Sequence, residues 1–557
     1  MAHNSATVAP QVYGGDEVAA IVLDPGSNST RVGYAGEDCP RQVLPSYYGE
    51  YDVSGVDGNI GKRRVFDENL LYTPRGDNFE IKPILKDNLI IDWDSALEQW
   101  GDSFKNLKVD FDQQPLLMTE PIWNSKKNKT AALEAALEHF KFPAFYLVKN
   151  PTCISFAHGR PNCLVVDMGD DITSVTPVID GLCLVKSTMK THYAGKFLNQ
   201  QLKQFLEVAN INIEPSYKIK SKIQSFETPN WVAKNFNFEI TESFEEYQKT
   251  RVLNEMKETL LQVKTKEEDA VAAAAASAAS AASAASASAP ASTTAPTAAA
   301  AATAPTAPTA AANTNSSNTN TNTNTNAVNT NATSTASGTP AAIPDASTTS
   351  ENDVSDERYF ELPNGLNVKF GKERFDIANS LFKPAEVPSV VRGWEAPENG
   401  EFEFKEAHNL KNDYKPIRRV RKETEQEIAA AEESTGKNSS SKKKEKSPDY
   451  RGVTELITHV LSLIDIDLRA QLANNIVLTG ATSLIPGLSE KLTNDLILMN
   501  PSLKIRIHCS GNVYERKYSS FIGGSILASL GTFHQLWVSK EEYQEVGVDR
   551  LLMNRFK

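Results

Sequence analysis

Two short apolar runs that end in the same turn chemistry constrain this chain more than any other feature. Ala19-Ala20-Ile21-Val22-Leu23 leads into Asp24-Pro25-Gly26-Ser27-Asn28-Ser29-Thr30, and Cys163-Leu164-Val165-Val166 leads into Asp167-Met168-Gly169-Asp170-Asp171-Ile172-Thr173. Runs of this length bounded by turn residues read as buried strands. The segments that follow, Arg31-Val32-Gly33-Tyr34 and Thr173-Ser174-Val175-Thr176, alternate as the return strands of hairpins do. In such a turn glycine lets main-chain N–H groups converge on a phosphate. The aspartate suits a hydrated divalent metal held between itself and the phosphates. One Asp-x-Gly turn carries almost no information, but two after matched strands point to a duplicated domain whose phosphate loops face one another. A third strand, Asn475-Ile476-Val477-Leu478, ends in Thr479-Gly480-Ala481-Thr482-Ser483, a small-residue turn that would let a nucleotide approach the backbone. Together the three favour a nucleotide cleft in a mixed α/β fold. Helical spacing at 130–140 and 488–498, and the largely apolar stretch 526–537, supply helices around the strands.

Composition marks what lies outside that fold. No charged side chain occurs between Asp269 and Asp345, and no aromatic one between Tyr247 and Tyr359. Such an Ala/Ser/Thr/Pro/Asn tract cannot bury enough apolar surface to offset the entropy of ordering it, so residues 264–356 are expected to be a disordered insertion. A second, highly charged segment at 388–449 is expected to be flexible. It holds two basic clusters, Arg418, Arg419, Arg421 and Lys422, then Lys442, Lys443, Lys444 and Lys446. The pair reads equally as a bipartite nuclear-import address or as a solvated linker. The rest of the 557 residues is large enough for two substantial lobes. A net charge of −12 argues against a surface that grips nucleic acid throughout, though not against a local basic patch. Five scattered cysteines without a C-x-x-C pair fit a reducing compartment, with neither a disulfide framework nor a zinc site. No secretory signal is visible, and the Ala-rich run is too often broken by Ser, Pro and Thr for a membrane span, so an intracellular soluble protein is expected.

The same residues carry a resemblance. Outside the two insertions the chain resembles actin and the actin-related proteins. The likeness lies in Leu23-Asp24-Pro25-Gly26-Ser27, in Gly159-Arg160-Pro161 and onward to Asp167-Met168-Gly169, and in Thr479-Gly480-Ala481-Thr482-Ser483. The most specific block runs from Glu515-Arg516-Lys517-Tyr518 through Ile522-Gly523-Gly524-Ser525 to Glu542-Tyr543. Sugar kinases and the seventy-kilodalton heat-shock chaperones share the loops but not this block. Gln11-Val12-Tyr13-Gly14, Thr119-Glu120-Pro121-Ile122-Trp123-Asn124 and the C-terminal Gly547-Val548 to Arg555-Phe556 look like the nuclear branch of the family. The resemblance implies a two-lobed actin-like fold, a duplicated ribonuclease H-like domain that closes on ATP and Mg²⁺. One lobe would comprise residues 1–159 and 517–557, the other 160–263, 357–387 and 450–516.

By motif position, Gly26, Ser27 and Asn28 would face the phosphates from one lobe and Gly169 and Asp170 from the other, with Asp24 and Asp167 ordering the metal's waters. Arg31 stands where actin has a phosphate-contacting lysine, and Gly195 matches a glycine of the nucleotide pocket. Gly480, Ala481 and Thr482 would lie beside the nucleotide. A helix at 252–260 would bring Lys257 and Glu258 to the ribose and base, and Lys517 matches a base-side lysine. On bare sequence Lys257 and Glu258 read as a solvated face; only the resemblance raises them.

The departures from the family pattern matter as much. Asn150 falls where actin carries the glutamine that positions the attacking water. It is one methylene shorter and precedes Pro151, which implies slow or absent hydrolysis and no enzymatic role. Ala481 replaces a glycine. Residues 50–73 bear no close resemblance to actin's subunit-contacting loop, and two insertions add bulk to any filament, so polymerisation is not expected. Phe156, Leu527, Leu530 and Leu536 match positions lining actin's groove between the lobes, which could take an amphipathic partner helix; taken singly they read as well as buried core. The expected function is an ATP-binding structural subunit in the nucleus. It would pair with actin on a helicase-SANT-associated helix in chromatin-remodelling and histone acetyltransferase complexes, and so serve transcription and DNA repair. Histones are further candidate partners, and direct DNA contact is left open. The rival readings are a small-molecule kinase of the same superfamily and a cytoplasmic actin-like cytoskeletal protein.

Overall fold

The first turn-bearing strand runs Ile21–Pro25 and the second Cys163–Met168, and both are almost wholly buried. Each folds back on itself. Ile21–Pro25 pairs antiparallel with Ser29–Tyr34, and Cys163–Met168 with Thr173–Ile179. A third antiparallel strand follows in each case, Gln42–Pro45 and Met189–Thr191. On its other side each first strand pairs in parallel with a strand that arrives much later in the chain, Leu116–Glu120 in one sheet and Ile476–Thr479 in the other. Each of those has one more parallel neighbour, Ala144–Lys149 and Ile507–His508. The two sheets repeat one plan, so the repeated Asp-x-Gly turn marks a repeated topology. These strands come from a computed structural model that describes residues 19–54, 60–76, 78–264, 357–384, 408–409 and 451–556. Residues 265–356, both basic clusters and Gln11-Val12-Tyr13-Gly14 lie outside the described residues.

The hydrophobic core around the second sheet takes side chains from both sides of the charge-free tract. Val252, Leu253, Met256 and Leu260 come before it, and Phe360, Leu362, Val368 and Phe370 after it. The tract therefore interrupts one packing unit. Around the first sheet, the helix Asn150–Ala157 crosses the helix Val513–Ser529 very closely. A Cβ on Gly523 would lie 1.7 Å from the Cys153 carbonyl oxygen, so only glycine permits this approach. The Val513–Ser529 helix breaks direction at Tyr518 (φ −118°, ψ 21°). Before the kink the Arg516 carbonyl accepts from Gly480 N–H and the Thr479 hydroxyl; after it Ser520 donates to Asp24. One helix thus touches both sheets.

Some boundaries differ from the sequence expectation. The helix expected over 130–140 starts at Lys126, where the Ser125 hydroxyl caps it by accepting from Asn128 N–H, and it finishes as a π-helical turn over Ala135–His139. The stretch 526–537 is not one helix. Val513–Ser529 ends at the extended Leu530, and Gly531–Gln535 forms a separate 3₁₀ turn. Glycine costs about 1 kcal/mol inside a helix, and the break turns Phe533 inward, its ring centroid 5.1 Å from those of Tyr146 and Trp537. Within the second expected insertion, His408–Asn409 pairs with Met189–Thr191 as an edge strand. Among the described residues no helix is long and apolar enough to cross a membrane.

Residues 50–73, which gave no resemblance, help to build a three-stranded sheet. Tyr47–Ser54 lies between Ile60–Val65 and Glu80–Pro83, with a 3₁₀ turn at Glu68–Tyr72. Inside it the Glu50 carboxylate accepts from Lys82 at 2.5 Å and from Lys62 at 3.0 Å. The Lys82 hydrogen bond, opposed by burial and reinforced by Lys62, holds the Glu50 carboxyl below its ordinary value of 4.5. An acid depressed in the folded state stabilises the fold above its unfolded pKa and loses that contribution as the pH falls through the folded one. Glu50→Gln should therefore lower the melting temperature at neutral pH, and its gap to wild type should close as the pH falls below 4.5. Thermal melts across that range check this; a gap independent of pH would remove the ion pairs as its cause.

Candidate functional site

Between the two sheets, the ends of equivalent strands enclose a cavity of about 390 Å³, a size suited to a small-molecule or cofactor ligand. Asp24, Gly26, Ser27, Asn28 and Arg31 reach it from the first hairpin, and Asp167, Gly169 and Asp170 from the second. Lys257 and Glu258 enter from the helix Glu242–Leu260, Gly480, Ala481 and Thr482 from the third turn, Lys517 from the kinked helix, and Asn150 from the start of its own. Gly195 does not line the cavity. It opens the helix Gly195–Val208, and a Cβ there would sit 2.7 Å from Asp170 Oδ1 and 3.1 Å from Lys257 Nζ and Thr482 Oγ1. Its lack of a side chain lets three cavity residues crowd together.

The two Asp-x-Gly turns agree in detail. Gly26 N–H donates to the Ser29 carbonyl at 3.2 Å, and Gly169 N–H to the Ile172 carbonyl at 3.0 Å. These glycine amides close their own turns, which corrects the expectation that they converge on a phosphate. The Ser27 amide is engaged too, because Asn88 Oδ1 accepts from Ser27 N–H at 3.1 Å and from its hydroxyl at 2.7 Å. Asn88 and Asp87 hold left-handed φ values of 59° and 54° in the tight turn between Leu85–Lys86 and Leu89–Ile90. An anion at the Ser27 amide has to displace the Asn88 side chain.

Charge defines the rest of the site. Asp24 is buried; its Oδ1 accepts from the Thr119 and Ser520 hydroxyls, and its Oδ2 lies 3.3 Å from Arg31 Nη1. The Arg31 guanidinium also lies over the Tyr518 ring, 5.6 Å from its centroid. The Asp167 carboxyl is pushed up to about 6, first by burial and then by the Asp24 charge, with Arg31 opposing. Two carboxylates that repel one another across a cavity favour a cation between them. Among the described residues no group of three or more His, Cys, Asp or Glu side chains could enclose a metal. Asp24 and Asp167 therefore fit a hydrated cation that a phosphate ligand helps to hold. Farther along the wall, Lys257 Nζ donates to Asn254 Oδ1 at 2.9 Å and the Gly195 carbonyl at 3.3 Å, and lies 3.5 Å from Asp170 Oδ1. Glu258, one residue on, is exposed. Asn150 begins the helix Asn150–Ala157 with Pro151 in its first turn, where proline is tolerated, and its Oδ1 is buried without a hydrogen-bond partner.

Sequence reasoning missed Asn88, Asn254, Thr119 and Ser520. Asp87-Asn88 between two apolar pairs is a hairpin-turn signal, but nothing local says that its tip reaches Ser27.

A sequence profile of the family described as Actin matches residues 15–557. This chain belongs to the actin family. It is 39% identical over 565 residues to actin-related protein 4 of Debaryomyces hansenii and 41% over 558 residues to actin-related protein 4 of Candida albicans, with 98% of each chain covered. Actin-related protein 4 of Saccharomyces cerevisiae is 36% identical over 581 residues, covering 98% of this chain and 99% of the relative. The actin family is an ATP-binding fold. Of the four positions matched to the groove of actin, Phe156, Leu530 and Leu536 are 36%, 39% and 42% exposed. Leu527 is 6% exposed and packs with Val22, Leu117 and Phe521, so it belongs to the core and is not a surface contact. Leu182, 73% exposed, adds apolar surface next to Gly181, where a Cβ would lie 3.5 Å from the Phe156 ring.

Gly480 sits at φ +91°, and a Cβ on it would lie 2.2 Å from the Met168 carbonyl oxygen. Gly480→Ala should therefore destabilise the fold by about 2 kcal/mol or more, read as a lower urea midpoint. An unchanged midpoint would mean that the two strand ends can part at little cost.

Proposed function

We propose that this chain is an ATP-binding, non-polymerising structural subunit of nuclear chromatin-remodelling and histone acetyltransferase assemblies. The observation that carries the nucleotide part is the convergence of Asp24, Ser27, Arg31, Asp167, Asp170, Lys257, Thr482 and Lys517 on one cavity between two equivalent sheets. Asp24 and Asp167 would hold the hydrated Mg²⁺, Arg31 the phosphates, and Lys257, Glu258 and Lys517 the ribose and base. The metal would supply neutralisation of the phosphate charge. The nuclear part rests on likeness to relatives named actin-related protein 4 and on the two basic clusters read as an import address. Actin and a helicase-SANT-associated helix are the proposed partners, with histones as a further one.

A scaffold has no need of turnover. Asn150 has a shorter reach than glutamine, and a misplacement near 1 Å costs about a hundredfold in rate. Steady-state ATP turnover should accordingly fall about a hundredfold below that of filamentous actin, and Asn150→Gln should raise it. Wild-type turnover as fast as filamentous actin would overturn the non-enzymatic reading.

The partner helix would lie on the exposed Phe156, Leu182, Leu530 and Leu536. Replacing Leu530 and Leu536 together by Asp should leave the melting temperature within a few degrees of wild type, because both are already about two-fifths exposed. The same pair should remove actin and remodeller or acetyltransferase scaffold subunits from affinity purifications analysed by mass spectrometry. Recovery of cytoskeletal partners alone with the wild-type chain would overturn the nuclear assignment.

A further inference from the structure

The two sheets are tied together beside the cavity by an apolar seam that no contact with a ligand requires. Leu71, Phe79 and Ile81 from the three-stranded sheet region pack against Tyr217 and Phe244 on the other side. Ring centroids stand 5.5 Å apart for Phe79 and Phe244 and 5.0 Å apart for Tyr217 and Phe244, and Leu71 and Phe244 are wholly buried. The polar groups inside are satisfied across the seam. Gln248 Nε2 donates to the Leu71 carbonyl at 2.7 Å, Ile81 N–H to the Ser243 hydroxyl at 3.1 Å, and the Thr241 hydroxyl to the Phe79 carbonyl. At the rim, the Arg251 guanidinium lies 3.4 Å from the centroid of the Tyr72 ring.

One element links this seam to the cavity. The helix Glu242–Leu260 places Phe244, Gln248 and Arg251 in the seam and Asn254, Lys257 and Glu258 on the cavity wall. From Gln248 to Lys257 is about two and a half helical turns. A ligand gripped between the two walls leaves only when they part, and parting them on this side exposes buried aromatic surface and strips the Leu71 carbonyl of its donor. Both consequences oppose opening. The barrier to release then contains the opening of the seam as well as the loss of the ligand's own contacts.

We infer that the nucleotide of this chain is a resident structural ligand, sealed in by the seam of Leu71, Phe79, Ile81, Tyr217 and Phe244 and released only when that seam opens. The inference rests on the nucleotide reading above and adds what controls exchange. It makes the bound nucleotide a part of the folded unit, like a buried side chain, and not a signal that turns over.

Phe244→Ala is the obvious variant, but removing a fully buried ring endangers the fold. Gln248→Ala and Arg251→Ala remove ties across the seam and leave its aromatic centre in place. Glu255→Ala, at an exposed position of the same helix, serves as control. The full-length protein is loaded with a fluorescent adenine nucleotide, and release is followed after addition of excess unlabelled ATP. Bound nucleotide is quantified separately, and circular dichroism checks the fold. Release should be about tenfold faster in Gln248→Ala, as befits the loss of one buried hydrogen-bond partner, and faster again when Arg251→Ala is added. The control should match wild type. If nucleotide binds but leaves at the same rate from all variants, the seam has no part in exchange and the inference falls while the nucleotide reading stands. If no nucleotide binds to the wild-type chain, the nucleotide reading falls and takes the inference with it.

Discussion

Asp24 and Asp167 repel one another across the cavity, and much of the surrounding structure answers that repulsion. The sheet plan puts a carboxylate at the end of each equivalent strand, buried and facing the other. Arg31 stands opposite Asp24 in the hairpin register, so the counter-charge is built into the same two strands. Thr119 donates from the parallel neighbour and Ser520 from the kinked helix. All three neutralising groups address Asp24, while Asp167 is left to lift its own affinity for a proton. A ligand that carries a cation to the Asp167 side completes the arrangement, and this asymmetry is what makes the cavity selective for an anion accompanied by metal.

The parts of this molecule that were legible in the sequence are those set by local chemistry. A buried run, a turn containing Asp and Gly and an alternating return strand specify a hairpin wherever they occur, and doing so twice disclosed the repeated topology. The fifteen residues assigned to a nucleotide came from motif position, and fourteen of them line one cavity. Other features depend on contacts between distant residues. Asn88 reaches Ser27 from a separate hairpin, and no periodicity encodes that meeting. Apolar spacing does not distinguish Leu527, inside the core, from Leu530 at the surface, because both satisfy the same helical pattern until Leu530 ends the helix. The break at Gly531 was hidden for the same reason.

Residues 50–73 show how a departure from a family pattern can be informative. They lack the likeness to a subunit-contacting loop, yet part of the stretch folds into a sheet and 3₁₀ turn that pack, with Phe79, against the helix Glu242–Leu260. A segment expected to meet another molecule instead meets the opposite half of its own. The loss of resemblance and the gain of an internal contact are one event seen at two levels.

The kink at Tyr518 has a mechanical consequence. The stretch of helix before it is bonded to the Thr479–Gly480 turn, and the stretch after it to Asp24 and the first sheet. Any rotation of one sheet against the other must be absorbed where the helix is already bent. The ring at that bend lies under the Arg31 guanidinium. Hinge and phosphate-side cation therefore share a side chain, so the helix works as a lever whose fulcrum touches the charge that a ligand meets first.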